Sequence, residues 1–210
     1  MKFSLKDKKR IALVIIAVIL MGLALSFLNR TKLGGDPFTF MNLGISDRLP
    51  ISFGTWEAIF NLLLLGIVLG FDRSRLGIGT IANMFLVGYS VDFFTWLENC
   101  FINFDFLSSW TMRILVAAPA LALFIVTAAL YMCCDMGVAP YDGLVYIIHE
   151  KLCQKTGRRL PFKFIRMCYD SIGCIIGFLL CGYIGVITIC IALFLGPVIS
   201  MMNEWLKKIL

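Results

Sequence analysis

Charge is what this sequence has least of. Only 15% of its 210 residues are Asp, Glu, Lys or Arg, whereas 60% are apolar. A soluble domain is about 45–50% apolar and about 25% charged, so a soluble fold of this length could not bury this much apolar surface. The composition excludes soluble globular, disordered, collagen-like, coiled-coil and disulfide-rich secreted proteins, and it predicts an integral membrane protein.

Histidine is nearly absent too, since His149 is the single example. The chain also lacks a Gly-x-Ser-x-Gly elbow, a His-Glu-x-x-His motif and a Walker phosphate loop. We therefore expect no enzyme, no cofactor and no ATP hydrolysis. His149 and Cys153 share a helical face, and Cys133 and Cys134 lie within reach, but no Cys-x-x-Cys pair accompanies them. We expect a solvated histidine and no metal site.

Long apolar runs are present instead, and no strand-type alternation interrupts them. A spanning helix needs about 20 mostly apolar residues. The runs predict an all-α polytopic transmembrane helical bundle with six spans: Ile11–Leu28, Trp56–Phe71, Leu76–Leu97, Met112–Cys134, Phe164–Gly182 and Tyr183–Met202. The second run is short and needs its flank from about Phe53. The first run follows a basic segment, as a signal peptide would, but no small-x-small cleavage site comes after the run. We therefore expect an uncleaved helix.

Positive charge predicts how the chain is oriented. With the N-terminus inside, fifteen of the 19 Lys and Arg residues fall on the inner side. This distribution predicts a bacterial cytoplasmic (inner) membrane protein with N- and C-termini in the cytoplasm. Anionic lipid headgroups, and no nucleic acid, are then the expected partner of the net charge of +6. The outer side keeps Arg30, Lys32, Arg48 and Arg113.

The two halves of the chain are similar to each other. The segment Leu33–Phe38 after the first span matches Met136–Tyr141 after the fourth, and Leu76–Ile81 matches Ile184–Ile189. Because each copy has three spans, the second copy enters the membrane from the opposite side. We predict 3+3 inverted-topology repeats, residues 1–110 and 111–210, within a single membrane domain. Inverted repeats are a common plan of secondary transporters, whose sites lie between the halves near broken helices.

This ordered pattern resembles the YczE/YyaS/YitT-like family of bacterial six-helix membrane proteins. A Leu-Gly-x-x-Pro-type break follows the first helix of each half, and the family more often has a longer acid where this chain has Asp170. Copy one also departs from the second-half pattern, with Phe38-Thr39 in place of Tyr141-Asp142. The resemblance implies the fold and topology and names no substrate. The residues that carry it are Leu33–Pro37, Met136–Pro140, Pro140–Gly143, Arg166, Asp170, Gly196 and Pro197.

Each break predicts a short half-helix, Phe38–Gly44 in the first copy and Tyr141–Cys153 in the second. Free N–H groups at such helix starts can bind an anion or a polar ligand, and we expect Asp36 and Asp142 to cap them. The alternative is a pair of ordinary helix–loop–helix turns. The candidate substrate-binding residues in the breaks are Gly34, Gly35, Asp36, Pro37, Gly137, Ala139, Pro140, Tyr141 and Asp142.

Polar residues within the spans complete the candidate site. Arg166 and Asp170 are four residues apart on one helix face, which predicts an ion pair that is either an inner gate or a structural pair. A second group predicts an outward-facing polar pocket in which Glu57 or Asp92 binds a cation, or else plain interhelical hydrogen bonding. That group is Glu57, Asn61, Asn83 and Asp92.

These features together predict a secondary-type transporter or permease for a small polar or organic molecule, bound where the two breaks approach each other. The short chain makes a homodimer plausible. One alternative is a substrate-binding membrane subunit of a multi-component, energy-coupled uptake system. Another is a non-transporting membrane regulator that docks through the basic segment 151–166.

Overall fold

A computed structural model describes residues 5–181 and 185–192. Their regular structure is all helical, as the sequence predicted. Residues 73–75 and 104–108 form short 3₁₀ turns, and residues 186–192 are helical as well. The longer helices are α1 (Leu5–Thr31), α2 (Pro37–Ser46), α3 (Phe53–Phe71), α4 (Ile78–Phe101), α5 (Trp110–Cys133), α6 (Pro140–Thr156) and α7 (Phe162–Cys181).

Four of the described helices are long and apolar enough to cross a membrane. They are α1 from Asp7 onward, α3, α4 and α5, and they match the first four predicted spans. The start of α3 at Phe53 confirms the predicted flank. Helix α7 covers most of the predicted fifth span. Apart from residues 185–192, the predicted sixth span, Tyr183–Met202, lies outside the described residues. Large exposed side chains such as Leu179, 70% exposed, are the surface that lipid covers in a multi-pass membrane protein.

Helix α1 lies at the centre of the core, packed against both α4 and α5. Val18, Ala24 and Leu28 are fully buried on it. A Cβ atom at Gly22 would overlap Ser90 of α4, so the two backbones approach closely there. At one end of this contact the buried Glu98 of α4 accepts a hydrogen bond of 2.6 Å from the Ser26 hydroxyl. A bundle held by small residues and interhelical hydrogen bonds is typical of membrane proteins.

The two breaks have the same backbone conformation at equivalent positions. The first leaves its helix through Lys32 at φ 54° and the second through Asp135 at φ 51°. Gly34 follows at φ 103° and Gly137 at φ 107°. A proline then occupies the first turn of each new helix. Left-handed residues of this kind are common just after a helix ends.

Each break packs against a helix start in the other half of the chain. The Gly79 N–H donates to the carbonyl of Met136 over 2.7 Å, and the Ile187 N–H donates to the carbonyl of Leu33 over 2.9 Å. Helix α2 packs along α7, and helix α6 packs along α3. The two halves are therefore interlocked, with each break helix held by the opposite half.

We expect Gly137→Ala to be destabilising, because Gly137 combines a left-handed backbone with no space for a side chain. A Cβ atom there would lie 2.5 Å from the Gly77 nitrogen. The positive φ alone costs an alanine about 1–2 kcal/mol, and the clash adds to that cost. The measurement is thermal unfolding of the detergent-purified chain.

Gly157→Ala is the matched control, since Gly157 also has a positive φ but nothing within 4 Å. The loss of stability in Gly157→Ala should reflect only the cost of placing alanine in a left-handed backbone conformation. Equal losses in the two variants would contradict the close packing of the second break.

Candidate functional site

The N-terminal ends of α2 and α6 meet inside the bundle. The rings of Phe38 and Tyr141, which hold equivalent positions in the two breaks, lie 4.6 Å apart between centroids. A Cβ atom on Gly173 of α7 would lie 3.3 Å from the Pro37 carbonyl oxygen and 3.5 Å from the Tyr141 hydroxyl. We call these four residues, with Asp170, the junction. The approach of the two breaks that the sequence predicted is present.

The two helix starts are capped differently. Asp36 caps α2, because its Oδ1 accepts a hydrogen bond of 3.0 Å from the Thr39 N–H. This confirms one of the two predicted caps. The other was wrong: α6 begins after Ala139, which offers no side-chain acceptor. Asp142 lies three residues into the helix, past the position from which a side chain caps, and it pairs with Arg166 instead.

Arg166 ties the start of α6 to α7. Its Nε lies 2.9 Å from Asp170 Oδ2, which confirms the predicted pair, and its Nη1 lies 2.5 Å from Asp142 Oδ1. Asp170 also accepts a hydrogen bond of 3.0 Å from the Tyr141 hydroxyl. Two carboxylates therefore share one guanidinium, and the positive charge of Arg166 is fully matched by groups of the protein itself.

A second buried group lies on α3, one turn of helix apart. Glu57 is 2% exposed and Asn61 is 1% exposed. Among the described residues, the Oε2 atom of Glu57 and both amide atoms of Asn61 have no hydrogen-bond partner, and the same is true of the buried Oδ2 atom of Asp36. Leaving such groups unpaired costs about 1–3 kcal/mol each. Two further carboxylates lie on the neighbouring helices: Asp36 caps α2, which packs against α3, and Asp92 of α4 contacts Gly54 of α3.

Close packing of α3 against α4 fixes the position of Glu57. A Cβ atom at Gly54 would lie 2.7 Å from the backbone of Gly88, and one at Gly88 would overlap Glu57 Oε2. Asp92 accepts a hydrogen bond of 2.9 Å from the Gly54 N–H. Asp92 thus stabilises the helix contact, while Glu57 and Asn61 keep free hydrogen-bonding capacity.

The other predicted site residues lie apart from the junction. Gly34, Gly35 and Gly137 belong to the packing of the breaks, where the Gly35 N–H donates to Thr188 Oγ1 over 3.1 Å. Asn83 is half-buried on α4, and no hydrogen bond to it is found within the described residues. The structure joins Tyr141, Asp142, Arg166 and Asp170 through hydrogen bonds and ion pairs, and Pro37 and Tyr141 both lie against Gly173. Asp36 caps the start of α2, and Glu57 and Asn61 lie one turn apart on α3.

Sequence reasoning missed a continuous row of aromatic rings that passes through the junction. We call it the aromatic wall, and it consists of Trp56, Phe60, Phe38, Tyr141 and Tyr169. Phe60 lies 6.0 Å from Phe38 and 5.8 Å from Trp56, measured between ring centroids. Tyr169 lies 4.6 Å from Tyr141 on the far side of the junction. The equivalence of Phe38 and Tyr141 in the internal repeat was the signal for part of this wall. Nothing in the repeat pointed to Trp56 or Phe60.

His149 is not the freely solvated residue that we expected. Its Nε2 lies 2.9 Å from the Leu160 carbonyl oxygen, and its ring stands edge-on to Phe162 at 5.5 Å. The histidine therefore holds α6 against the start of α7. In the part of the chain that the structure describes, no group of three metal-ligating side chains occurs.

Two open surface cavities lie away from the junction. One, of about 430 Å³, is lined by Arg30, Lys32 and Arg113, among others. The other, of about 490 Å³, lies along α5 beside Pro119. Neither is lined by any of the predicted site residues.

The loop between α3 and α4 is basic and tied to α6. Arg75 forms ion pairs with Asp72 and with Glu150. Hydrogen bonds from the Ser74 hydroxyl and N–H hold the pKa of Asp72 below its usual value.

Residues 8–204 match the model of DUF6198, a family of unknown function. An uncharacterized protein of Haemophilus influenzae is 25% identical over 91% of this chain and 82% of its own length. Two proteins of Bacillus subtilis are also similar. The uncharacterized membrane protein YczE is 28% identical over 57% of this chain and 53% of its own length. The uncharacterized protein YyaS is 22% identical over 84% of this chain and 85% of its own length. These relatives confirm the resemblance seen in the sequence. No solved structure matches the chain.

Proposed function

We propose that this chain, which belongs to the DUF6198 family, is a secondary-type transporter or permease for a small polar or organic molecule. One observation carries the proposal: two interrupted helices point their N-terminal ends at each other among buried polar side chains. Transporters commonly bind substrate at such broken helices, because the helix ends offer unsatisfied backbone groups within the membrane. The proposed substrate site is the junction together with Asp36 and the buried polar residues of α3, Glu57 and Asn61.

The proposed architecture is six spans in 3+3 inverted repeats, with cytoplasmic termini in a bacterial inner membrane. The matched backbone of the two breaks and their reciprocal packing support it. The directions of the break helices support it too. Pro37, at the start of α2, lies beside Gly173 of α7, and Arg48, two residues past the end of α2, donates to the Leu180 carbonyl near the end of α7. Helix α6 runs along α3 in the same way, from Gly143 beside Val68 toward the loop after α3.

The Arg166 network is the proposed cytoplasmic gate. Arg166 joins α6, which packs on α3, to α7, which packs on α2. A movement of one helix pair against the other therefore has to separate Arg166 from Asp142. Rocking of one repeat against the other is how inverted-repeat transporters alternate access to a fixed site.

A ligand screen with an uptake assay tests the function. The purified full chain is screened for thermal stabilisation against a metabolite library, and hits are labelled for uptake into proteoliposomes. A ligand at a hundredfold excess over its dissociation constant adds about 2.7 kcal/mol of stability. We expect at least one hit that is taken up, and we expect Tyr141→Phe to weaken it, because that variant removes the hydroxyl next to Asp170 from the junction.

Tyr146→Phe is the matched control, since Tyr146 lies on the same helix but stacks on Phe162 away from the junction. Hits that stabilise the protein without being transported would favour a binding subunit. A screen without any hit would contradict the transporter proposal.

A further inference from the structure

The polar groups around the junction differ in whether other groups of the protein already satisfy their hydrogen bonds and charges. The α2 start is capped by Asp36, and Arg166 is held by two carboxylates. These are two of the positive features that would attract an anion, and the protein's own acidic groups already occupy them. An anion bound at either feature would therefore have to displace a carboxylate of the chain. At the start of α6, which no side chain caps, Asp142 in the first turn places a negative charge close to any anion.

Within the described residues, three of the four buried side-chain atoms that lack a hydrogen-bond partner are acceptors. Glu57 Oε2 and Asp36 Oδ2 are buried carboxylate oxygens to which none of the described residues donates, and their helices, α3 and α2, pack against each other. Asn61, one turn along from Glu57, adds an amide that can both donate and accept. A group that satisfies all three must carry N–H donors, and a positive charge on it relieves the repulsion between the two carboxylates.

The aromatic wall adds a second kind of recognition. Phe38 follows Asp36 closely in the chain, and Trp56 and Phe60 directly precede Glu57 and Asn61. Phe60 lies in contact with both of the other two rings. The faces of aromatic rings attract organic cations. Aromatic rings on the same two elements as the carboxylates, the start of α2 and the first half of α3, therefore favour an organic cation over a strongly hydrated metal ion.

We infer that the substrate carries an ammonium or guanidinium group, and that Glu57 and Asp36 bind this group with the Asn61 amide beside it. This inference rests on the proposed transport function. It assigns Glu57 as the residue that selects for charge, and it places the apolar remainder of the substrate against Phe38, Trp56 and Phe60.

Three probes of nearly the same size and different charge test the inference. Labelled guanidinium, acetamide and acetate are measured for binding to the purified full chain by scintillation proximity. We expect guanidinium to half-saturate the protein at a concentration at least about tenfold below that of the other two. Glu57→Gln, which keeps the shape and removes the charge, should weaken guanidinium binding by at least about tenfold.

Glu98→Gln is the matched control, because Glu98 is another buried glutamate but is fully partnered by Ser26 and Arg30. It should leave binding within about twofold of the wild type. Asp36→Asn is a second test variant, since asparagine preserves the helix cap while it removes the charge. Melting temperatures establish that each variant is folded before binding is compared.

The outcomes separate this inference from the proposed function. Two outcomes overturn the inference of a cationic substrate and leave the proposed transport function standing. One is preferential binding of acetate or acetamide. The other is guanidinium binding that is unchanged in both Glu57→Gln and Asp36→Asn. No binding by any probe, together with an empty metabolite screen, overturns both proposals. Guanidinium binding that falls in Glu57→Gln and persists in Glu98→Gln supports the inference.

Discussion

Replacing Arg166 by methionine should lower the free energy of unfolding by about 3–5 kcal/mol, the usual cost of removing one partner from a buried ion pair. Methionine fills a similar volume, so the loss measures charge more than packing. Without the guanidinium, Asp142 and Asp170 remain as two carboxylates held close together, and Asp170 is only 5% exposed. The measurement is thermal or denaturant unfolding in detergent, followed with a thiol-reactive dye.

Two further variants give this prediction its control and its rescue. Arg75→Met removes another doubly paired arginine, but one of its partners, Glu150, is 48% exposed, so the loss should stay within about 1 kcal/mol. Adding Asp142→Asn and Asp170→Asn to Arg166→Met should restore most of the stability. A triple variant as unstable as Arg166→Met alone would show that the network acts through packing and that charge pairing contributes little.

The fold was predictable where one physical signal dominates. Apolar runs of spanning length placed the first four membrane helices to within a few residues. The repeated Gly-x-x-Pro pattern placed both break helices, because proline starts a helix and a left-handed glycine ends the preceding turn. The Arg166–Asp170 pair was predictable for the same reason, since i,i+4 spacing on one helix fixes which side chains can meet.

The candidate site was less predictable because it depends on contacts between helices. The spacing of residues along one helix gives no information about a partner on another helix. Asp142 was therefore expected to cap its own helix, whereas it pairs with Arg166 of α7. The same limit applies to Glu57, whose burial results from the approach of Gly54 to Gly88 across two helices. It applies equally to Trp56, which donates a hydrogen bond to Asn42 on a different helix.

The Gly54–Gly88 contact leads to the second large expected effect. Gly88→Leu should destabilise the protein by about 3 kcal/mol or more, at the upper end of the range for overpacking a close contact. A Cβ atom at Gly88 would lie 2.8 Å from the Gly54 Cα and would overlap the Glu57 carboxylate. Backbone atoms cannot rotate away as a side-chain end can, so α3 and α4 have to separate.

Gly66→Leu provides the comparison, because a Cβ atom added to Gly66 on α3 would have no other atom within 4 Å, and leucine is the better helix former. It should leave stability unchanged or slightly raised. Guanidinium binding is a second measurement on Gly88→Ala, the milder change, which displaces Glu57 with a smaller disturbance of the helices. A folded Gly88→Ala protein that binds guanidinium as the wild type does would mean that the exact position of the Glu57 carboxylate is unimportant. Loss of binding there, with Gly66→Leu unaffected, would link the α3–α4 helix packing directly to recognition of the substrate charge.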